Sequence, residues 1–416
     1  MKQNKMAKEN GINILMFAAS FPPPAVGGST EYLYNIVKNL PSHTVTINTA
    51  NAFPDQSVKF DKSFPQVVIR NNFIHHPMEA YKRSKWRRIW HYIAWPVVAF
   101  RLILKQRPDI VHIGEANTAG IAALIASKLL KIPYLHYVYA EEITLYSSNW
   151  LRIKLFWFIV NRAQAVVTVS EYTRKLLIAG GVLPERIHKL IPAVSIEKSK
   201  NVTLDQMDSL RKQYGLENNR VLLTVGALKE RKGQAAVIEA LPAIIQNFPN
   251  VKYVMAGSGE LEMELRQKAQ DLGLVAHVVF AGRIDNEELS CLYELCDLFI
   301  MPHRQVPSTL DTEGCPTVFL EASAHGKPVI GGNAGGVSDA ILDKQTGFII
   351  DGTDANEIAL TVCKLLKDIN LSNRLGLAGR EYTRDLNPKN NAKAVLKINI
   401  NVINNMKVHF FEDGIK

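Results

Sequence analysis

Long hydrophobic runs are what this chain of 416 residues lacks first. No uncharged apolar stretch reaches the roughly 18 residues of a membrane-spanning helix, so none is expected. Cysteine is scarce. Cys291, Cys296, Cys315 and Cys363 are the only four, they form no Cys-x-x-Cys pair, and no histidine cluster stands near them. That argues against a disulfide framework or a structural zinc and suits a reducing cytosol. No Gly-x-Gly-x-x-Gly follows the first candidate strand, which weighs against a dinucleotide-dependent oxidoreductase. Repeats of roughly 20–50 residues and low-complexity tracts are also missing, so nothing indicates a solenoid or a disordered scaffold.

What is present is a globular composition, 47% hydrophobic, in a chain longer than one ordinary domain. Two domains, each with its own core, are the natural expectation. Charge is unevenly shared. Residues 1–200 hold 26 Lys and Arg against 12 Asp and Glu, a balance of +14, whereas residues 201–416 hold 23 against 27, or −4. The first domain is therefore expected to face an anionic partner. Near the start, Lys2, Lys5 and Lys8 precede the apolar run Ile12 to Phe21 and imitate a signal peptide. Asn13 interrupts that run, and Pro22, Pro23, Pro24 and the Gly27-Gly28 pair close it. A buried first strand entering a loop is the preferred reading.

Short apolar runs alternate with helical patterns throughout, which predicts an α/β fold with parallel sheets. Candidate strands in the first half are 12–17, 44–48, 110–113, 134–138 and 165–169, with helices such as 29–40 and 119–130 between them. The second half repeats the pattern with strands 221–225, 252–256, 277–281, 298–301 and 329–330. The polar stretch from Ile196 to Asp208 reads as a linker and the start of a helix. It places the boundary near Glu197 and gives domains 1–197 and 198–385.

The most informative stretch is EGCPTVFLEASAHGKPVIGGNAGGVSDAILDKQTGFIIDG, residues 313–352. Pro316 suits the first turn of a helix running through Val318 to Ala324 and stopping near Gly326-Lys327-Pro328. Glu313 then lies just ahead of that helix and Glu321 one to two turns inside it. The N–H groups of Cys315, Thr317 and Val318, with the helix dipole behind them, make a place for an anion. Two carboxylates beside it suit a ligand carrying both hydroxyls and phosphate.

This run resembles the signature of the family 4 retaining glycosyltransferases, and the similarity extends from about Asn13 to about Leu386. The resemblance implies a GT-B fold: two Rossmann-like domains with parallel sheets facing across a cleft that holds a nucleotide sugar. It also implies that a C-terminal helix, about 386–416, crosses back to the first domain. The first domain would bind acceptor and the second the nucleotide sugar. Glu321 would hold the ribose hydroxyls and Glu313 would lie near the transferred sugar. Gly27 and Gly28, after the first strand, would line the donor phosphates, although the loop taken alone favours a tight strand-to-helix turn. In Thr224–Gly233 the family has Arg after the first glycine and Lys before the last. Here Gly226 and Lys232 are kept, Ala227 replaces the Arg, and Arg231 stands close enough to substitute. Gly257 and Gly259 would line the nucleotide pocket and Arg283 would lie beside the base; each is also consistent with a plain turn. At Tyr139-Ala140 the family carries a His-Gly pair, so Tyr139 occupies the place of a sugar-contacting histidine. His136 faces the other side of a strand and is no obvious replacement.

Asp-x-Asp is absent from the whole chain, so the usual carboxylate pair for a diphosphate-bound cation is missing and no metal is expected. Between Glu79 and Asp109 there is no acid, while Lys82, Arg83, Lys85, Arg87, Arg88, Arg101, Lys105 and Arg107 interleave with Trp86, Trp90, Trp95 and Phe100. Tyr81 to Arg107 is thus a candidate helix lying on an anionic membrane, or an ordinary surface helix with its aromatics in the core. No nucleic-acid-binding motif accompanies it. The reading that results is a metal-independent, retaining hexosyltransferase using a UDP- or GDP-sugar. Its acceptor would be a lipid, a lipid-linked glycan or a surface-polysaccharide precursor, at the cytoplasmic face of a membrane. A phosphatidylinositol-mannosyltransferase-like lineage is suggested by FPPPAVGG and by the MPHR…LDTEG spacing. A non-catalytic sugar-nucleotide binder and a GT-B epimerase or phosphorylase are the alternatives.

Overall fold

A computed structural model describes residues 11–23, 27–51, 53–72, 74, 85–114, 118–147, 149–194, 202–306 and 312–413, with backbone alone for 85–92 and 407–413. It divides into two units, 1–192 with 388–416, and 193–387. The expected boundary at Glu197 lies outside the described residues. Within the second unit, Val194 N–H donates to the Leu386 carbonyl at 2.9 Å and ties the unit's two ends together.

The first unit runs β1 (Ile14–Phe17), α1 (Gly28–Lys38), β2 (Val45–Ala50), α2 (Pro54–Ser63), β3 (Val67–Asn71), α3 (Lys85–Gln106), β4 (Ile110–Ile113), α4 (Ala119–Leu129), β5 (Tyr134–Val138), α5 (Glu141–Ser147), α6 (Trp150–Val160), β6 (Ala165–Thr168), α7 (Glu171–Ala179) and β7 (Ile187–Lys189). Its seven strands are parallel, in the order β3-β2-β1-β4-β5-β6-β7. The run that imitated a signal peptide is β1, paired on both edges with β2 and β4 and buried at every residue. A strand covered on both faces needs a continuous apolar run, which explains Ile-Leu-Met-Phe there.

The second unit runs α8 (Leu204–Tyr214), β8 (Arg220–Val225), α9 (Gln234–Asn247), β9 (Val251–Ala256), α10 (Glu262–Asp271), β10 (Val278–Gly282), α11 (Asn286–Leu295), β11 (Leu298–Met301), α12 (Thr317–Ala324), β12 (Val329–Gly332), β13 (Gly347–Ile350), α13 (Ala355–Lys367) and α14 (Ile369–Arg384). Its parallel sheet has the order β10-β9-β8-β11-β12-β13. The order reverses between β8 and β11, and in doubly wound sheets ligands gather at the carboxyl ends of the strands there.

A last helix, α15 (Pro388–Asp413), belongs to the first unit and packs on α1. Ala392, Val395, Ile398, Asn399 and Val402 form its buried stripe, at helical spacing. The Asn399 amide oxygen meets His112 Nε2 of β4 at 2.9 Å, a polar link from the helix into the sheet.

Three local expectations need correcting. The helix expected at 29–40 is α1, which starts one residue earlier, at Gly28, with Gly27 (φ 94°) at its N-cap. Thr30, in its first turn, is buried against Ser20, 2.8 Å between their hydroxyls. Pro316 is the N-cap of α12 (φ −74°, ψ 101°) and the helix begins one residue later. Strands β3, β7 and β13, none of them among the candidates, are sheet edges or close to them. Their burial is partial: β7 has no apolar run, and the runs of β3 and β13 are only three residues long.

Candidate active site

The carboxyl end of β8 leads through Gly226 into a 3-10 turn, Glu230–Lys232, that delivers two cations side by side. Arg231 Nε lies 2.7 Å and Lys232 Nζ 2.8 Å from Glu313 Oε1. All three side chains are largely buried, between 11% and 16% exposed. Burial alone would push the Glu313 carboxyl up, but Lys232 and then Arg231 outweigh it and hold it at about 2. The site thus keeps a permanent negative charge inside a pair of positive ones. Ala227 offers no cation; its carbonyl accepts from Gln234 Nε2 at 3.1 Å. Arg231 therefore supplies the second positive charge at this site.

The glycine-rich signature braces Glu313 from behind. Gly336 N–H donates to the Glu313 carbonyl at 3.0 Å, and at Gly335 (φ 55°) a Cβ would collide with that same carbonyl. His303, which the motif reading did not single out, is buried just after β11. Its Nε2 lies 2.9 Å from the Ala334 carbonyl, so the 332–336 loop is held to the β11 exit as well. Burial lowers the His303 pKa, with Glu313 pulling the other way.

Glu321 stands on α12, in the same unit as Glu313. Its Oε2 accepts from the Tyr293 hydroxyl at 2.9 Å. Sequence reasoning missed Tyr293, because an aromatic on a helix such as α11 reads as core, and its ring is indeed buried. Thr317 and Val318 open α12, and Cys315, partly buried and in no disulfide, lies ahead of it. Gly257 and Gly259 have a packing reason of their own. A Cβ at the first would strike the Gly226 carbonyl, and at the second the Leu228 backbone. They let the loops after β8 and β9 touch. Arg283 Nε donates to Ser258 Oγ at 3.1 Å, joining the next loop to the set.

Gly27, Gly28 and Tyr139 lie in the first unit. Space around both glycines is open, and Gly27 needs its missing Cβ for its positive φ. Tyr139 is buried; its hydroxyl donates to the Gly114 carbonyl at 3.0 Å and its N–H to Glu142 at 3.0 Å. The phenol here fastens the chain beyond β4 to the end of β5. His136 is buried as well, its ring edge-on to Phe156.

The basic–aromatic segment divides between two roles. Residues 81–84 lie outside the described residues, as do the side chains of Trp86 and Trp90. Trp95 is fully buried with Ala99 and Ile103, and its Nε1 donates to Asn48 at 3.3 Å, so it is core. Ile93, Val97 and Leu104 are exposed on the same helix as the exposed Arg101 and Lys105. Helix α4 packs against both α3 and α6. On α6, Trp150, Leu151, Leu155 and Phe158 are exposed, with Lys154 over the Trp150 ring and Arg162 over the Phe158 ring. None of these three helices carries an Asp or Glu. No helix among the described residues is long and apolar enough to cross a membrane.

Comparison with known proteins places this geometry. Residues 26–198 match the family described as Glycosyltransferase Family 4, and residues 206–382 match Glycosyl transferases group 1. The chain is 36% identical over 227 residues to the GDP-mannose-dependent alpha-(1-6)-phosphatidylinositol monomannoside mannosyltransferase of Mycolicibacterium smegmatis. That match takes in 55% of this chain and spans only 59% of the relative's length. A longer match, 26% identical over 86% of this chain and 90% of the other, is to the GDP-mannose-dependent monoacylated alpha-(1-6)-phosphatidylinositol monomannoside mannosyltransferase of Corynebacterium glutamicum. Among solved structures, Anabaena HepE in complex with UDP and glucose superposes with a TM-score of 0.73 at 20% identity, covering 93% of this chain and 99% of that one. That likeness concerns the fold. Two adjoining family matches and the doubly wound sheets agree: the chain belongs to the family 4 glycosyltransferases, with the GT-B fold, and is similar to their phosphatidylinositol mannosyltransferase branch.

Proposed function

We propose that the protein is a retaining glycosyltransferase that moves a hexose from a nucleotide sugar to an acceptor hydroxyl, without a metal ion. The observation that carries this reading is the convergence of Lys232 and Arg231 on Glu313 beside the carboxyl end of β8. A diphosphate entering there would meet two preplaced cations. They would stabilise the charge that grows as the sugar's C1–O bond to phosphate breaks. The new C1–O bond to the acceptor would form on the same face, and the acceptor's proton would pass to the departing phosphate oxygen. Glu313 would hold sugar hydroxyls and offset positive charge at C1, and Glu321 would take the ribose hydroxyls. The names of the mannosyltransferase relatives put GDP-mannose first among donors to try, ahead of the UDP-sugars.

The acceptor is proposed to be a lipid, a lipid-linked glycan or a surface-polysaccharide precursor, met at an anionic bilayer on the cytoplasmic side. Support comes from the exposed apolar side chains of α3, α4 and α6, set among cations with no acid on those helices. Apolar residues that enter the headgroup layer, ringed by Lys and Arg, are the chemistry of interfacial binding.

The test is thermal stability of the protein against UDP- and GDP-sugars in metal-free buffer. A donor at a hundred times its dissociation constant adds about 2.7 kcal/mol. Stabilisation by one nucleotide class, lost in Lys232→Ala and Glu321→Ala, supports the donor site, and product analysis then reads the anomeric configuration. Binding without turnover on any acceptor would favour a sugar-nucleotide binder, and a free isomerised sugar nucleotide an epimerase.

A further inference from the structure

Tyr293 and Glu294 are neighbours on α11, and they grip two residues one turn apart at α12. The Tyr293 hydroxyl donates to Glu321 Oε2 at 2.9 Å. Glu294 Oε1 meets His325 Nδ1 at 2.8 Å, and the His325 ring stacks on the Tyr293 ring, centroids 5.2 Å apart and 26° between planes. Lys327 Nζ closes the set on the Glu294 carbonyl at 2.7 Å. Phe299 of β11 also meets the tyrosine ring, centroids 5.9 Å apart and tilted by 42°.

We propose that Tyr293 is a positioning residue for the donor: it fixes the Glu321 carboxylate in the rotamer that receives the ribose hydroxyls. The proposal rests on the donor-site reading above. A carboxylate on a helix has several rotamers, and only some present its oxygens to a pair of vicinal hydroxyls. A buried phenol is a good orienter. It carries one O–H and its ring has few rotamers to choose from. Tyr293 is 3% exposed, and burial, reinforced by the Glu321 charge, keeps it far from ionising, so it stays a donor. The ring is held on a histidine that is itself tied to Glu294, so the hydroxyl has a fixed origin. Donation to a charged acceptor is also among the stronger hydrogen bonds.

Calorimetric binding of GDP and UDP, each compared with its 2′,3′-dideoxy form, tests this. The dideoxy nucleotide keeps base and diphosphate but has no hydroxyls for Glu321 to hold. Tyr293→Phe keeps the stacked ring and removes only the hydroxyl. The expected result is about a tenfold loss of affinity for the ribonucleotide, with dideoxy affinity unchanged. Glu294→Gln, which loosens the histidine support, should give a smaller loss of the same selectivity, and it carries the test if Tyr293→Phe does not fold. Equal losses for both nucleotides would mean a merely structural tyrosine and overturn the proposal, as would no loss. A wild-type protein that binds both forms equally well would instead remove Glu321 from the ribose. One that binds neither nucleotide would remove the donor site itself.

Discussion

Lys232 Nζ stands 2.8 Å from Glu313 Oε1, an ion pair that the turn after β8 makes with the loop before α12. Arg231 shares the same oxygen. One carboxylate thus offsets part of the charge of two cations, and a diphosphate must compete with it for both. Glu313→Gln removes the competitor. We expect nucleoside diphosphate affinity to rise by about tenfold while transfer falls by at least that factor, measured by calorimetry and by initial rates. Without ligand the variant should be less stable by about 3 kcal/mol or more, because two buried cations lose their partner.

Ala140 has φ 81° and is fully buried, in the left-handed region that favours glycine. Its carbonyl accepts from the N–H groups of Ile143 and Thr144 at 3.0 and 3.4 Å, so the start of α5 holds it there. Ala140→Gly should release about 1–2 kcal/mol of strain against about 0.5–1 kcal/mol of added chain entropy. A rise of roughly 3–6 °C in the melting temperature of the first unit is the upper expectation. A fall on calorimetry would show that the alanine methyl earns more in packing than the backbone loses.

Acid should attack the first unit before the second. His112 and His136 are fully buried and depressed to about 4, chiefly by burial. Below their ordinary value of about 6.5 the unfolded chain takes up protons that the folded unit refuses, so stability is lost from there down to about pH 4, on the order of 3 kcal/mol for each. Glu313, held at about 2, costs the second unit nothing until pH drops below about 4.5. His303, also lowered by burial, brings one such loss to the second unit against two in the first, so hydrogen exchange followed from pH 7 to 4 should show β4 and β5 losing protection ahead of β8 and β11.

Vesicle binding should depend on α6 as much as on α3. Trp150→Ala with Leu151→Ser leaves the core residues Phe156, Ile159 and Val160 in place. Co-sedimentation with vesicles containing anionic lipid should fall by about tenfold, and higher salt should weaken what is left. Unchanged binding would point the surface elsewhere.

Much of this was legible before any coordinates. The central strands could be read because burial on both faces demands unbroken apolar runs, as in Ile14–Phe17 and Leu298–Met301. Edge strands such as Ile187–Lys189 carry no such run. Glu313, Glu321, Lys232 and Arg231 were visible through spacing, because a loop and a helix N-terminus fix their order along the chain. Tyr293 and His303 were not. Tyr293 stands within α11 and His303 just after β11, and only the packing of α11 and of the 332–336 loop brings them to the site. The exposed face of α6 was hidden for a different reason: Trp-Leu-Arg-Ile-Lys-Leu-Phe-Trp-Phe-Ile-Val is apolar on nearly every side and reads as interior. The substitution at Ala140 was plain in the sequence, but its retained glycine-like backbone was not.

The return of α15 has a consequence for biosynthesis. The first unit lacks the buried stripe from Ala392 to Val402 until those residues have been translated, whereas residues 193–387, the whole of the second unit, emerge earlier. The usual order, in which the N-terminal domain folds first on the ribosome, is inverted here for completion. The β1–β7 sheet must wait through some two hundred further residues with His112 and its neighbours uncovered. A released chain truncated just before Ala392 should therefore carry a protease-resistant second unit and a first unit that is still cleavable.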